Sequence, residues 1–241
     1  MVVPAFNEEA ALPCFLAVAR VAFEALVAAG TITEYELVLV DDASTDSTAA
    51  LCDELAAAEP WVQAVHHEAN QGLGGAVRSG LARATGDLIL YTDADLPFDL
   101  FELDRMLHLL WEYDADLVCG WRLDRRAEGW RRSVYSYCYN VTVRMLFGLR
   151  VRDVNFACKL FRRGVLDDVE LRSQGSFIDA ELLARASRRG HRIIQTGVDY
   201  FARTVGVSTL SSLRTIRNIV REMLAQRREI RALHPDPVAS P

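Results

Sequence analysis

Lysine is nearly absent from this chain of 241 residues, since Lys159 is the only one and arginine supplies the other basic side chains. The five cysteines are scattered and form no CxxC pair, which excludes a zinc ribbon or a disulfide framework. We expect them to be small buried apolar residues. No segment reaches the roughly 20 uninterrupted apolar residues of a membrane span, and nothing at the start resembles a signal peptide. These absences predict a cytoplasmic protein.

Acidic side chains are scarce in the second half of the chain, and basic ones are scarce in the first. Residues 1–116 hold 21 acidic residues and 4 arginines, whereas residues 117–241 hold 12 acidic residues and 22 arginines. This split indicates either two solvated faces of different composition, or a cation-binding half beside a half suited to phosphate or an anionic membrane. The charge pattern alone leaves both interpretations open.

Short apolar segments alternate with helical patterns along the chain. Strands are predicted at residues 1–3, 36–40, 62–66, 88–92, 117–120, 156–161 and 193–198. Helices are predicted between several of them and at residues 211–233, and the first helix is expected to have Asn7 as its cap. The alternation predicts an α/β fold with a mixed, mostly parallel sheet flanked by helices. Such sheets bind ligands beyond the carboxyl ends of their strands, where the polar motifs of this chain lie.

Two carboxylates follow the fourth predicted strand. Asp93 and Asp95 flank Ala94, and residues two apart lie on one face of an extended chain. Their negative charge would be balanced by a Mg or Mn ion that also binds diphosphate oxygens. A second interpretation is that Asp95 or Asp99 simply caps the helix predicted near residue 100.

Two further polar segments also follow predicted strands. Asp41 and Asp42 begin a turn in which Ser44 or Asp46 can accept backbone N–H groups. The first two carboxylates are also suited to accept hydrogen bonds from a ribose or a base edge. Residues 70–80 are rich in glycine and precede a helix whose start can receive negative charge. Their spacing matches neither the P-loop nor the dinucleotide-binding fingerprint.

These segments, together with residues 4–8 at the end of the first strand, occur in one order that resembles glycosyltransferase family 2. The patterns are V-V-P-A-x-N-E-E, D-D-x-S-x-D, N-x-G-x-G-x-A and G-D-x-I-x-x-x-D-A-D, and the likeness extends over about residues 1–210. The second half is similar to polyprenyl-phosphate sugar transferases. It differs from their patterns at two positions: Ile178 is inserted between the aromatic Phe177 and the acidic Asp179, and Thr209 stands where those patterns have a lysine.

The resemblance implies an inverting enzyme of the GT-A (Rossmann-like) fold that uses a UDP- or GDP-sugar and a divalent cation. Residues 1–116 would form the donor and metal half, residues 117–210 the acceptor half, and residues 211–241 a basic C-terminal helix and tail. Metal ligands would be Asp93 and Asp95, and other donor-side positions would be Pro4, Ala5, Asn7, Glu8, Asp41, Asp42, Gly72, Gly74, Arg78 and Ala94. Acceptor or diphosphate oxygens would be bound by Arg122, Arg131, Arg132, Arg203 and Ser208, and the catalytic residues would be Asp95, Asp179, Arg122 and Arg203.

The acceptor chemistry is left open by the sequence. A phosphate monoester is ionised near neutral pH and needs no strong base, whereas a hydroxyl needs a carboxylate within about 3 Å of its proton. Asp179 and Glu181 are the candidates, and since they do not share a helical face, one is expected to bind and the other to cap. Three functions are therefore considered: transfer to polyprenyl phosphate, transfer to a soluble hydroxyl with Asp179 as base, and non-catalytic nucleotide-sugar binding within a membrane complex.

The arginine-rich half also suggests a location. Residues 131–148 mix arginines with aromatic and apolar side chains, which is typical of a helix that lies against lipid or of one that packs on the core. The last helix carries a basic stripe suited to anionic lipid, to a second copy of the chain or to solubility: Arg214, Arg217, Arg221 and Arg228. We expect a cytoplasmic protein with no nucleic-acid partner, and leave open both a peripheral position on the inner face of the cell membrane and a homo-oligomer.

Overall fold

A single mixed sheet organises the molecule. The computed structural model describes residues 1–124, 130–201 and 213–234, and within these every side chain except those of residues 130–133 and 213–215. Its strands are β1 Val2–Ala5, β2 Leu37–Asp41, β3 Val62–His66, β4 Leu88–Thr92, β5 Leu117–Arg122, β6 Cys158–Arg162 and β7 Ile193–Val198. Its helices are α1 Leu12–Ala28, α2 Thr48–Ala58, α3 Gly72–Arg83, α4 Glu102–Glu112, α5 Trp130–Phe147, α6 Val165–Asp168, α7 Ile178–Arg189 and α8 Leu213–Ala232.

The strand order is β3-β2-β1-β4-β6-β5-β7. Among the described strands, β6 alone runs antiparallel to its neighbours, pairing Thr92 of β4 with Cys158 and Leu117 of β5 with Phe161. The remaining pairs are parallel. The predicted mixed, mostly parallel sheet flanked by helices is therefore confirmed.

Alternate side chains of each strand enter two apolar layers, one on each face of the sheet. Val2 packs in the layer that contains residues of α3, α5, α7 and α8, and Val3 packs in the layer that contains residues of α1, α2 and α4. The C-terminal helix α8 takes part in the first layer through Ile219, Met223 and Ile230, which are buried. None of the described helices combines the length and the apolarity that are needed to cross a bilayer.

The predicted helix cap at Asn7 is wrong. Asn7 has a positive φ of 57°, and α1 begins only at Leu12, with a proline in its first turn. The polar residues before Leu12 therefore form a loop at the end of β1. The expectation for the cysteines is right for three residues and wrong for two, since Cys14 and Cys138 are exposed.

Candidate active site

The strand order reverses beside β1. The chain proceeds from β1 through β2 to β3 on one side, whereas β4 pairs with the other side of β1. Such a switch point opens a crevice at the carboxyl ends of the strands, which is where open α/β sheets bind ligands. Asp93 and Asp95 follow β4, and residues 4–8 form the end of β1 and the loop after it, so these predicted site residues flank the crevice from its two sides.

The loops after β1 and β2 are joined by hydrogen bonds. The backbone N–H of Asn7 donates to Ser44 Oγ at 3.0 Å, and the side chain of Asn7 accepts the N–H of Thr45 at 2.8 Å. The N–H of Glu8 donates to Thr48 Oγ1 at 2.8 Å. Asn7 and Glu8, both predicted for the nucleotide pocket, are thereby fixed against the loop after β2 and the start of α2.

Asp42 is engaged by the protein itself. It is buried, and its carboxylate accepts the N–H groups of Gln71 at 2.7 Å and Gly72 at 2.8 Å at the start of α3. The same carboxylate lies 2.6 Å from Nδ1 of His67, whose Nε2 lies 2.8 Å from Ser79 Oγ. The negative charge expected at this helix start is therefore supplied by Asp42, a role that the sequence did not predict.

The glycines of this turn make room for a neighbouring segment. A Cβ atom on Gly74 would lie 2.2 Å from the carbonyl oxygen of Ser173, and one on Gly72, which has a φ of 78°, would lie 2.6 Å from that of Gln174. Arg78 donates to the carbonyl oxygen of Gly74 at 3.4 Å. Close approach of two backbones accounts for both glycines.

Asp41 has a histidine partner that the motif did not reveal. Asp41 is buried at the end of β2 and accepts the N–H of Ser44 at 3.1 Å. Nδ1 of His66 lies 3.3 Å from its other oxygen, and Nε2 lies 3.0 Å from Asp53. Partial burial lowers the pKa of His66, but the hydrogen bonds and charges of Asp41 and Asp53 outweigh this effect and raise it overall.

This raised pKa predicts a pH-dependent contribution to stability. Protonated His66 binds two carboxylates, so its stabilising effect should be complete below its ordinary pKa of 6.5 and disappear as the pH rises through the raised value. The side chain is 36% exposed, so solvent limits the effect to about 1 kcal/mol. Urea unfolding of the wild type and of His66→Gln from about pH 5.5 to 8.5 measures it. Unfolding free energies that differ by the same amount at every pH would contradict this assignment.

The two carboxylates after β4 are half-buried at the crevice. Burial raises the pKa of Tyr91 well above its usual value, and the charges of Asp179 and Asp93 raise it further. The capping role considered for Asp95 or Asp99 is not observed, because α4 begins after Phe101 without a side-chain cap; Asp99 instead accepts the N–H of Phe101 at 3.0 Å in the preceding turn. Asp93 and Asp95, separated by Ala94, thus both lie at the crevice directly after β4.

Arg122, at the end of β5, is part of a buried polar cluster. Its Nε and Nη2 atoms donate to the two oxygens of Asp153 at 2.7 and 2.8 Å. Its guanidinium carbon lies 5.3 Å from the ring centroids of both Phe156 and Tyr200. A bidentate pair that also lies against two rings has one preferred orientation, so the Arg122 guanidinium is held in place at the end of β5.

Lys159 is the partner of Asp179. Both side chains are buried, and Lys159 Nζ donates to Oδ1 of Asp179 and to the carbonyl oxygen of Phe156 at 2.9 Å. Burial raises the pKa of Asp179, and the charge of Lys159 opposes this. Glu181 is also buried and accepts the N–H groups of Arg172 and Ser173, which lie before α7. The expectation that one of the two acids caps the helix is wrong, since α7 has no side-chain cap.

Four of the predicted phosphate-binding side chains lie outside the part of the chain that the structure describes. The side chains of Arg131 and Arg132 belong to the undescribed part of α5, and Arg203 and Ser208 fall between residues 201 and 213. Their predicted roles in binding phosphate stay predictions.

Comparison with known proteins agrees with this geometry. The family model "Glycosyl transferase family 2" matches residues 1–170. Glycosyltransferase AglD of Haloferax volcanii is 32% identical over 207 residues, which are 83% of this chain and 32% of that one. Polyprenol monophosphomannose synthase of Mycolicibacterium smegmatis is 32% identical over 222 residues, covering 88% and 80%. The chain thus spans about a third of AglD but most of the mycobacterial relative.

A solved structure shares the fold. Glucosyl-3-phosphoglycerate synthase from Mycobacterium tuberculosis, in complex with Mn²⁺ and uridine-diphosphate-glucose, superposes with a TM-score of 0.64 at 19% identity, covering 98% of this chain and 79% of that one. The sheet order and the crevice thus define an α/β enzyme of the GT-A type. The chain belongs to glycosyltransferase family 2 and is a glycosyltransferase, which argues against the non-catalytic alternative.

Proposed function

We propose that this glycosyltransferase moves a hexose from a UDP- or GDP-sugar to a polyprenyl phosphate, with inversion at the anomeric carbon. The observation that carries the proposal is the position of Asp93 and Asp95 at the carboxyl end of β4, beside the switch point of the sheet. A nucleoside diphosphate in that crevice would contact the ends of β1 and β2, where Asn7, Glu8 and Asp41 are held by the hydrogen bonds described above.

The available side chains suit a cation that is shared with the substrate. Among the described residues, no three His, Cys, Asp or Glu side chains are grouped to hold a metal ion. Asp93 and Asp95 would therefore supply the protein's carboxylates, and diphosphate oxygens and water would complete the shell, as Mg²⁺ prefers. When bound, such a cation stabilises the charge that builds on the leaving diphosphate.

The surroundings of Asp179 favour an acceptor that is already ionised. Asp179 is 3% exposed and its Oδ1 is bound by Lys159, so it is poorly placed to take a proton from a soluble hydroxyl. A phosphate oxygen needs no base: it forms the new bond to the anomeric carbon while the bond to the nucleoside diphosphate breaks. The name of the mycobacterial relative, a polyprenol monophosphomannose synthase, points to the same acceptor class.

A surface formed by α5 and α8, which contact each other, is suited to a membrane. Apolar and aromatic side chains exposed there include Val134, Tyr135, Tyr137, Met145, Val220 and Leu224. Arg217, Arg221 and Arg228 of the predicted stripe are exposed on α8 among them. Exposed apolar groups mixed with arginines favour a peripheral position on anionic lipid, where polyprenyl phosphate resides.

A donor and acceptor panel tests this function. UDP-glucose, UDP-N-acetylglucosamine and GDP-mannose are each incubated with Mn²⁺ and a short prenyl phosphate, and products are identified by mass. We expect one prenyl-phospho-hexose, formed only with the divalent cation. The prenyl alcohol of the same length is the matched control, and it should accept no sugar because its hydroxyl is not ionised.

Two outcomes would contradict the proposal. Transfer to the prenyl alcohol at a similar rate would show that the enzyme activates a hydroxyl, and full activity on soluble acceptors without any lipid would favour the second alternative. Flotation with vesicles of anionic or of neutral lipid tests the membrane surface of α5 and α8. We expect the protein to float with the anionic vesicles and not with the neutral ones.

A further inference from the structure

Helix α8 holds the backbone of the segment that precedes α7. Oε1 of Glu222 accepts the N–H groups of Gln174 at 3.3 Å and Gly175 at 3.2 Å. Nε2 of Gln226 donates to Ser173 Oγ at 3.0 Å. Two side chains of α8 therefore determine the path of three consecutive residues.

Arg185 fixes the position of α8 itself. This buried side chain of α7 donates from Nε to Glu181 at 2.8 Å, from Nη1 to Glu229 at 2.8 Å and from Nη2 to Gln226 at 3.0 Å. Two nitrogens of the guanidinium thus bind α8, and the third binds Glu181 of α7 itself. Arg185 is 3% exposed and its partners on α8 are partly buried, so these charge-assisted bonds favour one register of α8.

The segment held by α8 presses on the start of α3. The carbonyl oxygen of Gln174 accepts the N–H of Gly74 at 2.8 Å. The positions of Gly72 and Gly74 leave no room for a Cβ atom against the carbonyl oxygens of Ser173 and Gln174. A shift of the segment would therefore displace the first turn of α3.

The start of α3 is also bound to the residue that follows β2. The carboxylate of Asp42 accepts the N–H groups of Gln71 and Gly72. Contacts thus run from α8 through residues 173–175 and α3 to the donor side of the crevice. We infer that Glu222 and Gln226 are positioning residues for the nucleotide site, although neither lies on a strand end. The inference rests on the proposed function, in which the end of β2 contacts the nucleotide.

Nucleotide binding measures this role. Titration calorimetry of UDP and of GDP, each with Mn²⁺, identifies the nucleotide that the wild type prefers. Glu222→Ala removes the acceptor of two N–H groups, and we expect this variant to bind the preferred nucleotide roughly tenfold more weakly than the wild type. Glu222→Gln keeps a carbonyl oxygen and should restore most of the affinity. Asn218→Ala, on an exposed position of the same helix, is the control and should bind as the wild type does.

Amide hydrogen exchange tests the contact path separately. In Glu222→Ala the amides of Gly72 and Gly74 should exchange faster than in Asn218→Ala, and Gln226→Ala is the milder variant if Glu222→Ala does not fold. A lower melting temperature with unchanged affinity and unchanged exchange would overturn the inference, since α8 would then only add stability. If the wild type binds neither nucleotide, the proposed function fails, and exchange at these two glycines still decides whether α8 positions α3.

Discussion

Replacing Asp95 by asparagine is expected to lower the rate of sugar transfer at least about 100-fold, the scale of losing one group that stabilises transition-state charge. The amide is nearly isosteric but carries no charge, so the ion between the strand end and the diphosphate would be bound weakly. Asp93→Asn should behave in the same way. Transfer rates and Mn²⁺ affinity, measured with the donor from the panel above, test the prediction.

Asp87→Asn is the matched control for these variants. Asp87 is exposed at the opposite, amino end of β4, so the same chemical change there should leave both rate and Mn²⁺ affinity close to the wild type. High Mn²⁺ should partly restore the transfer rate of Asp95→Asn, because weaker binding is compensated by concentration. Wild-type activity in Asp95→Asn would remove the basis of the metal site.

The strands were the part of the fold that the sequence predicted best. Residues 62–66, 88–92 and 193–198 match β3, β4 and β7 at both ends, because each is a short apolar segment bounded by polar or turn residues. The antiparallel direction of β6 was not predicted, since direction depends on the connection around α5 and not on the local pattern. Asn7 was misassigned for a related reason. A polar residue just before a helical pattern is typical of a helix cap. The structure instead gives Asn7 a positive φ in a loop that contacts Ser44 and Thr45, and these contacts are distant in sequence.

Motif order located the crevice but not the contacts within it. Asp41 and Asp42 are adjacent and chemically identical, so the sequence does not distinguish their roles. In the structure Asp41 contacts His66, and Asp42 binds the start of α3. These roles depend on β3 and α3, which lie 25 and 29 residues further along the chain. The partnership of Lys159 with Asp179 is equally non-local, although a lone lysine in an arginine-rich chain was a signal that could have drawn attention to it.

Replacing Lys159 by methionine is expected to lower the free energy of unfolding by about 3–5 kcal/mol, because Asp179 would stay buried without its cation. Burial raises the pKa of Asp179, and without Lys159 this effect is unopposed. The folded protein then binds a proton more readily than the unfolded chain, so the loss of stability should shrink as the pH falls and grow as it rises. Urea unfolding at about pH 5 and 8 measures both the loss and its slope.

A second substitution separates the ion pair from simple packing. In Lys159→Met/Asp179→Leu neither charge is left buried, so much of the stability should return even though the pair is gone, as apolar replacements of buried pairs are often tolerated. Arg83→Met removes an exposed cation at the end of α3 and should change the unfolding free energy by less than about 0.5 kcal/mol. If the losses of the single variants simply added in the double variant, the two side chains would not be coupled. Coupling would instead show that Lys159 stabilises the fold through its contact with Asp179, the carboxylate that would have to be free to serve as a base.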